Sequence, residues 1–545
     1  MAAICGIILD MKPINTSFYD FDRLIEGGYV YVDKTAILYE IARPGTDGIY
    51  YLPRPRRFGK SLMISTLKAL FQGRRELFRG LKIEQTDWDW EKEVYPVVHL
   101  DMSKASASTL ADFEDKLGKM VKFVCEEFDI PYDSNASAAA NFLVLLETLP
   151  KLTRRKNAKS DGKYVLLIDE YDAPIAKLLD SEKGRAELAD MRSALHDFYV
   201  QAKSHCGDMR FLMVTGVSKF AKTSIFSAFN NPVDLSLDAR VADLLGYTHE
   251  EMETYFHEHI QAFADKNGLT YEGAFGELLR RYDNYQFSPE RLVKMINPVS
   301  LGRALANGVI RNYWESTAGS TLILDALKAR NAAPVDFASE FALATLDAPD
   351  ALEAPTVALL YQGGYLTIDR RIDFESVLLK IPNEEVRTSL YRGYISRLLG
   401  VDFELDAFQR NAKKTAQELV ADELGAKFAA LLKTAFAKIP HEWLDKDEKE
   451  IKRYFLAFMV FARAEVVCEE QHSLGRPDSV VKTEKAVYIV EFKYAQSADA
   501  ALAQCREKRY ADAYQADGRR VVYVGVNYDP KTRTFDDVRT EEFKS

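Results

Sequence analysis

The segment before residue 61 has the residue types that bind nucleotide phosphates. Pro53-Arg-Pro-Arg-Arg-Phe-Gly-Lys-Ser61 follows the apolar run Gly48–Leu52 and precedes a helix-like pattern. A strand, a loop ending in Gly-Lys-Ser and a helix form the context of a Walker A loop, whose backbone N–H groups surround phosphates. Lys60 would neutralise the β/γ charge and Ser61 would bind Mg²⁺. The segment differs from the Walker A pattern at Arg54, where such loops usually have glycine. The alternative to a nucleotide site is a basic turn that caps the helix.

An acidic pair after a second apolar run supplies the other half of a nucleotide site. Tyr164–Ile168 is followed by Asp169 and Glu170. At the carboxyl edge of a parallel sheet, an Asp can hold Mg²⁺ and the next Glu can orient or deprotonate water. A third run, Arg210–Val214, ends at Thr215, which is expected to lie near the γ-phosphate. The three strand ends together predict a P-loop NTPase.

A second set of charged residues near the C-terminus predicts a metal-dependent nuclease. Glu491 and Lys493 lie two apart on a strand pattern and so share a face, and the twelve residues after Asp478 allow a hairpin that returns Glu491 beside it. Carboxylate oxygens suit Mg²⁺, and a metal ion beside an amine can activate water against a phosphodiester. Gln504, on the next helix, is expected to reach the phosphate or the metal, and Glu469 is a further acid. The alternative is a surface Glu–Lys pair.

The composition and net charge of the chain limit the classes of protein to which it can belong. The chain has 545 residues, of which 47% are hydrophobic and 28% charged, so it is expected to be globular. A net charge of −10 argues against indiscriminate coating of nucleic acid, so any such site must be local. No apolar run approaches a membrane span of about 20 residues, and no signal peptide is predicted. Five scattered cysteines without a CxxC motif predict reduced thiols and a cytoplasmic location.

The order of the patterns predicts a mixed α/β protein with several domains. Apolar runs alternate with helical patterns in 1–245, which predicts a parallel sheet. Residues 246–330 are mostly helical, and 331–385 end in two short strands typical of the wing of a winged-helix domain. Residues 386–545 are predicted to hold a helical linker and a second α/β module.

These motifs resemble a bacterial family in which an AAA-ATPase-like N-terminal domain is fused to a C-terminal domain of the PD-(D/E)xK nuclease superfamily. The resemblance rests on several segments: Tyr31-Val-Asp-Lys-Thr35, Arg56-Arg-Phe-Gly-Lys-Ser61, Leu167-Ile-Asp-Glu-Tyr-Asp172, Thr215-Gly-Val-Ser-Lys-Phe220, Gly475-Arg-Pro-Asp478 and Glu491-Phe-Lys493 with Gln504. It implies that the nucleotide-binding set includes Arg56, Arg57, Phe58 and Gly59. The family pattern also lacks the first Walker A glycine, at the position of Arg54.

The predicted function is ATP binding or hydrolysis coupled to Mg²⁺-dependent cleavage of DNA or RNA, with Mn²⁺ as an alternative metal. At the ATP site, Asp169 would help to hold Mg²⁺, and Glu170 would position the water. Asp478 and Glu491 would bind the nuclease metal, and Lys493 orient the nucleophile. Two alternatives remain open: a regulatory switch whose nuclease fold is an inactive binding module, and an ATPase that acts on protein. The choice between DNA and RNA and the presence of an oligomer are also open.

Overall fold

The computed structural model of the protein describes residues 11–156, 161–179, 184, 186–219, 232–314, 340–346, 355–399, 465–468, 477–482, 486–532 and 534–543. These residues fall into two compact units. The first contains the described residues up to 314 and those from 340 to 387, and the second contains those from 388 onward. The finer division at residues 245, 330 and 385 stays a prediction.

A parallel five-stranded sheet lies in the first unit. Its strands are β1 (Ile49–Pro53), β2 (Val97–Asp101), β3 (Tyr164–Asp169), β4 (Met209–Gly216) and β5 (Val233–Asp234). Their order across the sheet is β2-β3-β4-β1-β5, and every neighbouring pair is parallel. The carboxyl ends therefore share one edge, and the loops after β1 and β3 flank the end of β4. This is the edge at which ligands bind in open α/β sheets.

Four of the five strands coincide with apolar runs of the sequence that predict strands, with ends that differ by at most three residues, whereas β5 was not predicted. These runs are Gly48–Leu52, Val94–Leu100, Tyr164–Ile168 and Arg210–Val214. Strand β3 is buried along its whole length, as expected for a parallel strand covered on both faces. The second strand, predicted from Val94, begins only at Val97. Val94 is 47% exposed, and Pro96 has no N–H to donate to a strand ladder.

Helices cover the sheet and extend beyond it. The helices before residue 205 are α1 (Phe21–Glu26), α2 (Thr35–Ala42), α3 (Lys60–Phe71), α4 (Leu110–Glu127), α5 (Ala138–Lys156), α6 (Ala173–Leu179) and α7 (Leu188–Ser204). They are followed by α8 (His249–Asn267), α9 (Tyr271–Tyr282) and α10 (Pro298–Asn307), which share a hydrophobic core of their own. The capping box formed by Thr248 and Glu251 opens α8, since each side chain accepts a hydrogen bond from the other residue's backbone N–H.

The hairpin predicted near residue 370 is present in a small three-stranded sheet. This sheet consists of β6 (Glu340–Ala342), β7 (Thr367–Arg371) and β8 (Ser376–Lys380) in the antiparallel order β6-β8-β7, with helices α11 (Leu343–Leu346) and α12 (Thr356–Gln362) between β6 and β7. Helix α12 packs against the loop that follows β4, because Gln362 Oε1 accepts a hydrogen bond from Lys219 N at 2.8 Å. Helix α13 (Glu384–Leu399) follows β8.

The second unit contains a mixed five-stranded sheet. Its strands are β9 (Glu465–Cys468), β10 (Ser479–Lys482), β11 (Ala486–Tyr494), β12 (Arg520–Asp529) and β13 (Thr534–Glu542), in the order β13-β12-β11-β10-β9. Strands β10 and β11 form the predicted antiparallel hairpin, and α14 (Ala498–Glu507) connects β11 to its parallel neighbour β12. Among the described residues, no helix has the length and apolar character needed to cross a bilayer.

Gly364 provides a test of the packing between the small sheet and residues 53–61, the segment predicted to bind phosphate and called the phosphate loop below. Its φ is +79°, and a Cβ atom on it would lie 2.6 Å from Pro55 Cβ. We expect Gly364→Ala to lower the free energy of unfolding by about 1–3 kcal/mol, because it adds both backbone strain and overlap. Urea denaturation followed by tryptophan fluorescence measures this change.

The matched control is Gly276→Ala. Gly276 lies inside α9, and a Cβ there would meet no atom within 4 Å. Alanine favours a helix over glycine, so this variant should be at least as stable as the wild type. Equal denaturation midpoints for Gly364→Ala and the wild type would contradict the packing argument.

Candidate functional site

The phosphate loop folds back so that the Lys60 amine lies against the loop's own backbone. The loop turns sharply at Arg57 and Gly59, whose φ values are +68° and +96°. Lys60 begins α3 and is 4% exposed, and its Nζ donates to the carbonyl oxygens of Arg54 at 3.1 Å and Pro55 at 3.2 Å. In the described part of the chain this amine forms no ion pair with a carboxylate. A buried positive charge held only by carbonyl groups is suited to an incoming anion.

The predicted acids lie beside this loop. Asp169 ends β3, is 4% exposed and hydrogen-bonds with the Ser61 side chain. Burial raises the pKa of Asp169 and that of Glu170, and the positive charge of Lys60 opposes both shifts. Glu170 has a φ of +52°, a strained value for a residue with a Cβ. The structure therefore brings Lys60, Ser61, Asp169 and Glu170 together at one edge of the sheet.

Three other predicted loop residues have different surroundings. Arg57 Nη1 donates a hydrogen bond to Tyr313 O, and burial lowers the pKa of Arg57. Phe58 is 1% exposed, and its ring centroid lies 4.7 Å from that of Tyr285, so Phe58 anchors the loop in the core. Arg56 is partly exposed and acts electrostatically on Glu170.

The end of β4 is tied to both neighbouring strands. The buried Thr215 hydroxyl donates to Leu52 O at 2.8 Å, so its proton is used within the sheet. Asp172 accepts hydrogen bonds from Val217 N at 3.1 Å and from Ser218 N and Oγ at 2.7 and 2.6 Å. Sequence reasoning assigned no role to Asp172, although it closes the Leu167–Asp172 segment. Its carboxylate fixes the loop that follows Thr215.

Two concave regions flank the first turns of α3. One is a mainly apolar cavity of about 110 Å³ that touches Gly59 and Leu62 and is also lined by Tyr31, Val32, Leu38, Leu244 and Tyr247. The other is a polar cleft of about 580 Å³ that contains Ser61, Asp169 and Glu170. Asp101, which sequence reasoning missed, ends β2 in register with Asp169 and lines the same cleft.

A buried carboxylate supports the chain that holds Arg57. Glu385 is 1% exposed, and its Oε1 accepts hydrogen bonds from Tyr313 N at 2.6 Å and Trp314 N at 3.1 Å. Its Oε2 accepts a hydrogen bond from Ser300 Oγ at 2.8 Å. Burial raises the pKa of Glu385 to about 7. Because Arg57 donates to Tyr313 O, the position of the phosphate loop depends on this carboxylate.

The C-terminal sheet brings the predicted nuclease residues together. Asp478 Oδ2 accepts a hydrogen bond from Phe492 N at 2.8 Å, and Asp478 N donates to Glu491 Oε2 at 3.4 Å. Lys493 Nζ donates to Glu491 Oε1 at 3.2 Å and to Gln504 Oε1 at 2.8 Å. Gln504 Nε2 in turn donates to Glu491 Oε1. The antiparallel register of β10 and β11 and the packing of α14 on β11 produce this arrangement.

Tyr510, which is not among the predicted site residues, extends this network. The Tyr510 hydroxyl is hydrogen-bonded to the Gln504 side chain, and Tyr510 is only 2% exposed. Burial raises the pKa of this phenol, so it remains neutral. The Gln504 amide therefore has hydrogen-bond partners at both its oxygen and its nitrogen.

The electrostatics of Asp478 and Glu491 fit a divalent cation. Glu491 is 2% exposed, and its pKa is raised to about 7, first by burial and then by the negative charge of Asp478. A dication would relieve this repulsion, and carboxylate oxygens are ligands that Mg²⁺ prefers. Within the described residues, no group of three or more His, Cys, Asp or Glu side chains is arranged to hold a metal. Glu469, the predicted third acid, lies outside those residues, as do Gly475 and Arg476.

Two family models match the parts of the chain that contain these sites. Residues 15–226 match the family described as predicted AAA-ATPase, and residues 446–538 match the PD-(D/E)XK nuclease superfamily. An ATPase-like N-terminal part is thus joined to a nuclease-superfamily C-terminal part. The resemblance expected from the sequence motifs is confirmed.

A relative with the same extent is known. An uncharacterized protein in the vnfD 5′ region of Azotobacter chroococcum mcd 1 is 31% identical over 541 residues, which cover 96% of this chain and 98% of that protein. The chain belongs to the family of that protein.

Glu385 leads to a prediction about pH. Its folded pKa of about 7 lies above the ordinary value of 4.5, so its contribution to stability is complete below about pH 4.5 and is lost as the pH rises through 7. Relative to Glu385→Gln, the wild type should lose up to roughly 3 kcal/mol of unfolding free energy across this range. Urea denaturation of both proteins at several pH values measures the difference. The same pH dependence in both would contradict this assignment.

Proposed function

We propose that the protein binds and hydrolyses ATP at the phosphate loop and uses its C-terminal site for Mg²⁺-dependent cleavage of a nucleic-acid backbone, under the control of the bound nucleotide. The observation that carries the nuclease assignment is the buried contact of Glu491 with Lys493 and Gln504 beside Asp478. A surface Glu–Lys pair would not need to be buried, because exposed pairs gain little from contact. Here Glu491 is 2% exposed.

The nucleotide part of the proposal rests on Lys60 and the N-terminus of α3. Phosphate oxygens offer Lys60 an anionic acceptor in place of the Arg54 and Pro55 carbonyl groups. The N–H groups at the start of α3 face the same region, where a helix favours negative charge. The apolar cavity that touches Gly59 would take the base, because ligand pockets are mainly apolar with a few polar groups at one end.

The acids of the same edge would carry out the hydrolytic chemistry. Mg²⁺ held by Ser61 and Asp169 would supply positive charge to the phosphate oxygens. Glu170 would accept a hydrogen bond from the attacking water and then its proton, for which a pKa raised by burial is favourable. Asp172 would keep the loop after β4 in place while this occurs.

In the C-terminal site, Asp478 and Glu491 would hold Mg²⁺ or Mn²⁺, with Glu469 as a proposed third ligand. The cation supplies charge that polarises the phosphodiester and activates water. Lys493 would orient the nucleophilic water, and Gln504 would keep the Lys493 amine directed at the carboxylates. The substrate is DNA or RNA, because both present the phosphodiester that this set of residues recognises.

Lys60→Ala tests the nucleotide site. Removal of a charge-assisted hydrogen bond costs about 2 kcal/mol, so ATP affinity should fall roughly 30-fold. Lys119→Ala, which removes an exposed lysine of α4, is the control. Isothermal titration with ATP and Mg²⁺ gives both affinities. Unchanged binding by Lys60→Ala would refute the assignment of the phosphate loop.

Lys493→Ala and Glu491→Gln test the nuclease site. Each should lower the rate of Mg²⁺-dependent or Mn²⁺-dependent cleavage by about 100-fold or more, the usual effect of removing a group that acts on the nucleophile. Plasmid, single-stranded DNA and RNA are incubated with each protein, with and without ATP. Lys531→Ala, in an exposed turn, serves as the control and should cut as the wild type does. If the wild type cuts none of these substrates, the regulatory alternative with an inactive nuclease fold is favoured.

A further inference from the structure

Glu170, the proposed base of the ATP site, has a backbone conformation that its neighbours impose. Its φ is +52°, in the left-handed region that a residue with a Cβ enters only at a cost. The chain before it is fixed by β3, in which Asp169 is in register with Asp101 on β2. The chain after it is also fixed, because Tyr171 N donates a hydrogen bond to Thr215 O at 3.0 Å. A strained residue of this kind persists only while the structure on both sides holds it.

Asp172 provides a second contact immediately after Glu170. Its carboxylate accepts hydrogen bonds from three donors of the loop after β4, which are Val217 N at 3.1 Å and Ser218 N and Oγ at 2.7 and 2.6 Å. Asp172 is 4% exposed, and in the described part of the chain it forms no ion pair. A buried carboxylate without a cation is costly unless donors surround it, so the place of Asp172 in the fold depends on these three hydrogen bonds.

The contact between residues 171–172 and the end of β4 is close. A Cβ atom on Gly216 would lie 2.4 Å from Asp172 Oδ1 and 2.5 Å from Tyr171 Cδ1. The Tyr171 hydroxyl donates to Ser218 O at 2.7 Å, so the backbone of Ser218 is bound at both its N–H and its carbonyl group. The loop after β4 and the two residues after Glu170 therefore form one hydrogen-bonded unit.

The Glu170 side chain has no comparable support of its own. Among the described residues its carboxylate has no hydrogen-bond partner, and the neighbouring charges act on it only through space. Glu170 borders the cleft that contains Ser61. The direction of the carboxylate is therefore set by the backbone of Glu170, which leaves its oxygens available to accept a hydrogen bond from water.

We propose that Asp172 is a positioning residue for ATP hydrolysis, because its hydrogen bonds to the loop after β4 keep Glu170 in the left-handed conformation that directs its carboxylate into the cleft. When these bonds are lost, Glu170 relaxes to the negative φ that residues with a Cβ prefer, and its carboxylate leaves the position from which it would accept the proton of the attacking water. The phosphate contacts proposed for Lys60 and Ser61 do not depend on Asp172. This inference rests on the proposed ATP hydrolysis and adds to it the residue that sets the geometry of the base.

The test compares ATP affinity with the rate of ATP hydrolysis in the full-length protein. In Asp172→Asn an amide replaces the carboxylate and cannot accept at both of its atoms, so at least one hydrogen bond to the loop is lost. We expect kcat to fall about 100-fold, the scale of a misplaced catalytic group, while the ATP affinity from isothermal titration stays within about two-fold of the wild type. Asp283→Asn, which changes a buried aspartate that contacts His249, is the control and should keep the wild-type kcat. An unchanged kcat in Asp172→Asn, with or without a loss of ATP affinity, would overturn the proposal.

Crystals of Asp172→Asn give a second readout that needs no activity, since the φ of Glu170 should become negative. A φ that stays positive in this variant would contradict the proposal. If Asp172→Asn does not fold, Ser218→Ala takes its place, because it removes only the hydroxyl donor and should lower kcat about 5-fold at unchanged ATP affinity. Wild-type kcat in Ser218→Ala would then count against Asp172. A wild type that hydrolyses no ATP would refute the proposed function, and the φ of Glu170 in the variant crystals would decide the role of Asp172 by itself.

Discussion

The buried amine of Lys60 is the constraint on which the N-terminal site depends. A positive charge removed from water is unfavourable unless dipoles or anions replace its hydration. The loop supplies two carbonyl oxygens at 3.1 and 3.2 Å, which requires left-handed backbone at Arg57 and Gly59. Asp169 and Glu170 follow β3, which lies on the other side of β4 from β1, and the Lys60 charge acts on both carboxylates. The loop, the acids and the helix N-terminus thus form one arrangement organised for an anion.

Supports from distant parts of the first unit hold this arrangement. Arg57 donates to Tyr313 O, and Glu385 holds the backbone of Tyr313 and Trp314. On the other side of the loop, Gly364 lies against Pro55 so closely that a Cβ would overlap. A displacement of the phosphate loop would therefore also displace residues of the small sheet and of the start of α13. These contacts connect residues 53–61 with residues that follow the ATPase-like part in the chain.

The C-terminal site also contains a buried charge, which is stabilised by different partners. Here the buried charge is the Glu491 carboxylate, and Lys493 and Gln504 both donate to it. Asp478 adds a second negative charge, so the pair is poised to gain from a dication. In both sites a lysine lies beside acids at strand ends. The Lys60 amine donates to carbonyl groups, whereas the Lys493 amine donates to a carboxylate and an amide. The roles proposed for them, binding phosphate and orienting water, differ accordingly.

Much of the fold and the main site residues could be predicted from local sequence pattern. Apolar runs indicated the strands, and Gly-Lys-Ser, Asp169-Glu170 and Glu491-Phe-Lys493 indicated residues that the fold brings together. What could not be predicted depends on contacts between distant residues. Glu385 acts on Tyr313 from 72 positions away, and the Arg54 guanidinium finds Ser236 O at a separation of 182. The directions of individual side chains could not be predicted either, since the Thr215 hydroxyl donates a hydrogen bond within the sheet and the Phe58 ring packs in the core.

The most direct test of the account is the effect of ATP on cleavage in a single reaction. Initial rates of Mg²⁺-dependent cleavage of one labelled nucleic acid are compared with and without ATP, in the wild type and in Lys60→Ala. Coupling between two sites typically amounts to a factor of about 5 or more, so ATP should change the wild-type rate by at least that much. The rate of Lys60→Ala should be the same with and without ATP. A wild type that binds ATP and cuts at one rate regardless of ATP would contradict the account.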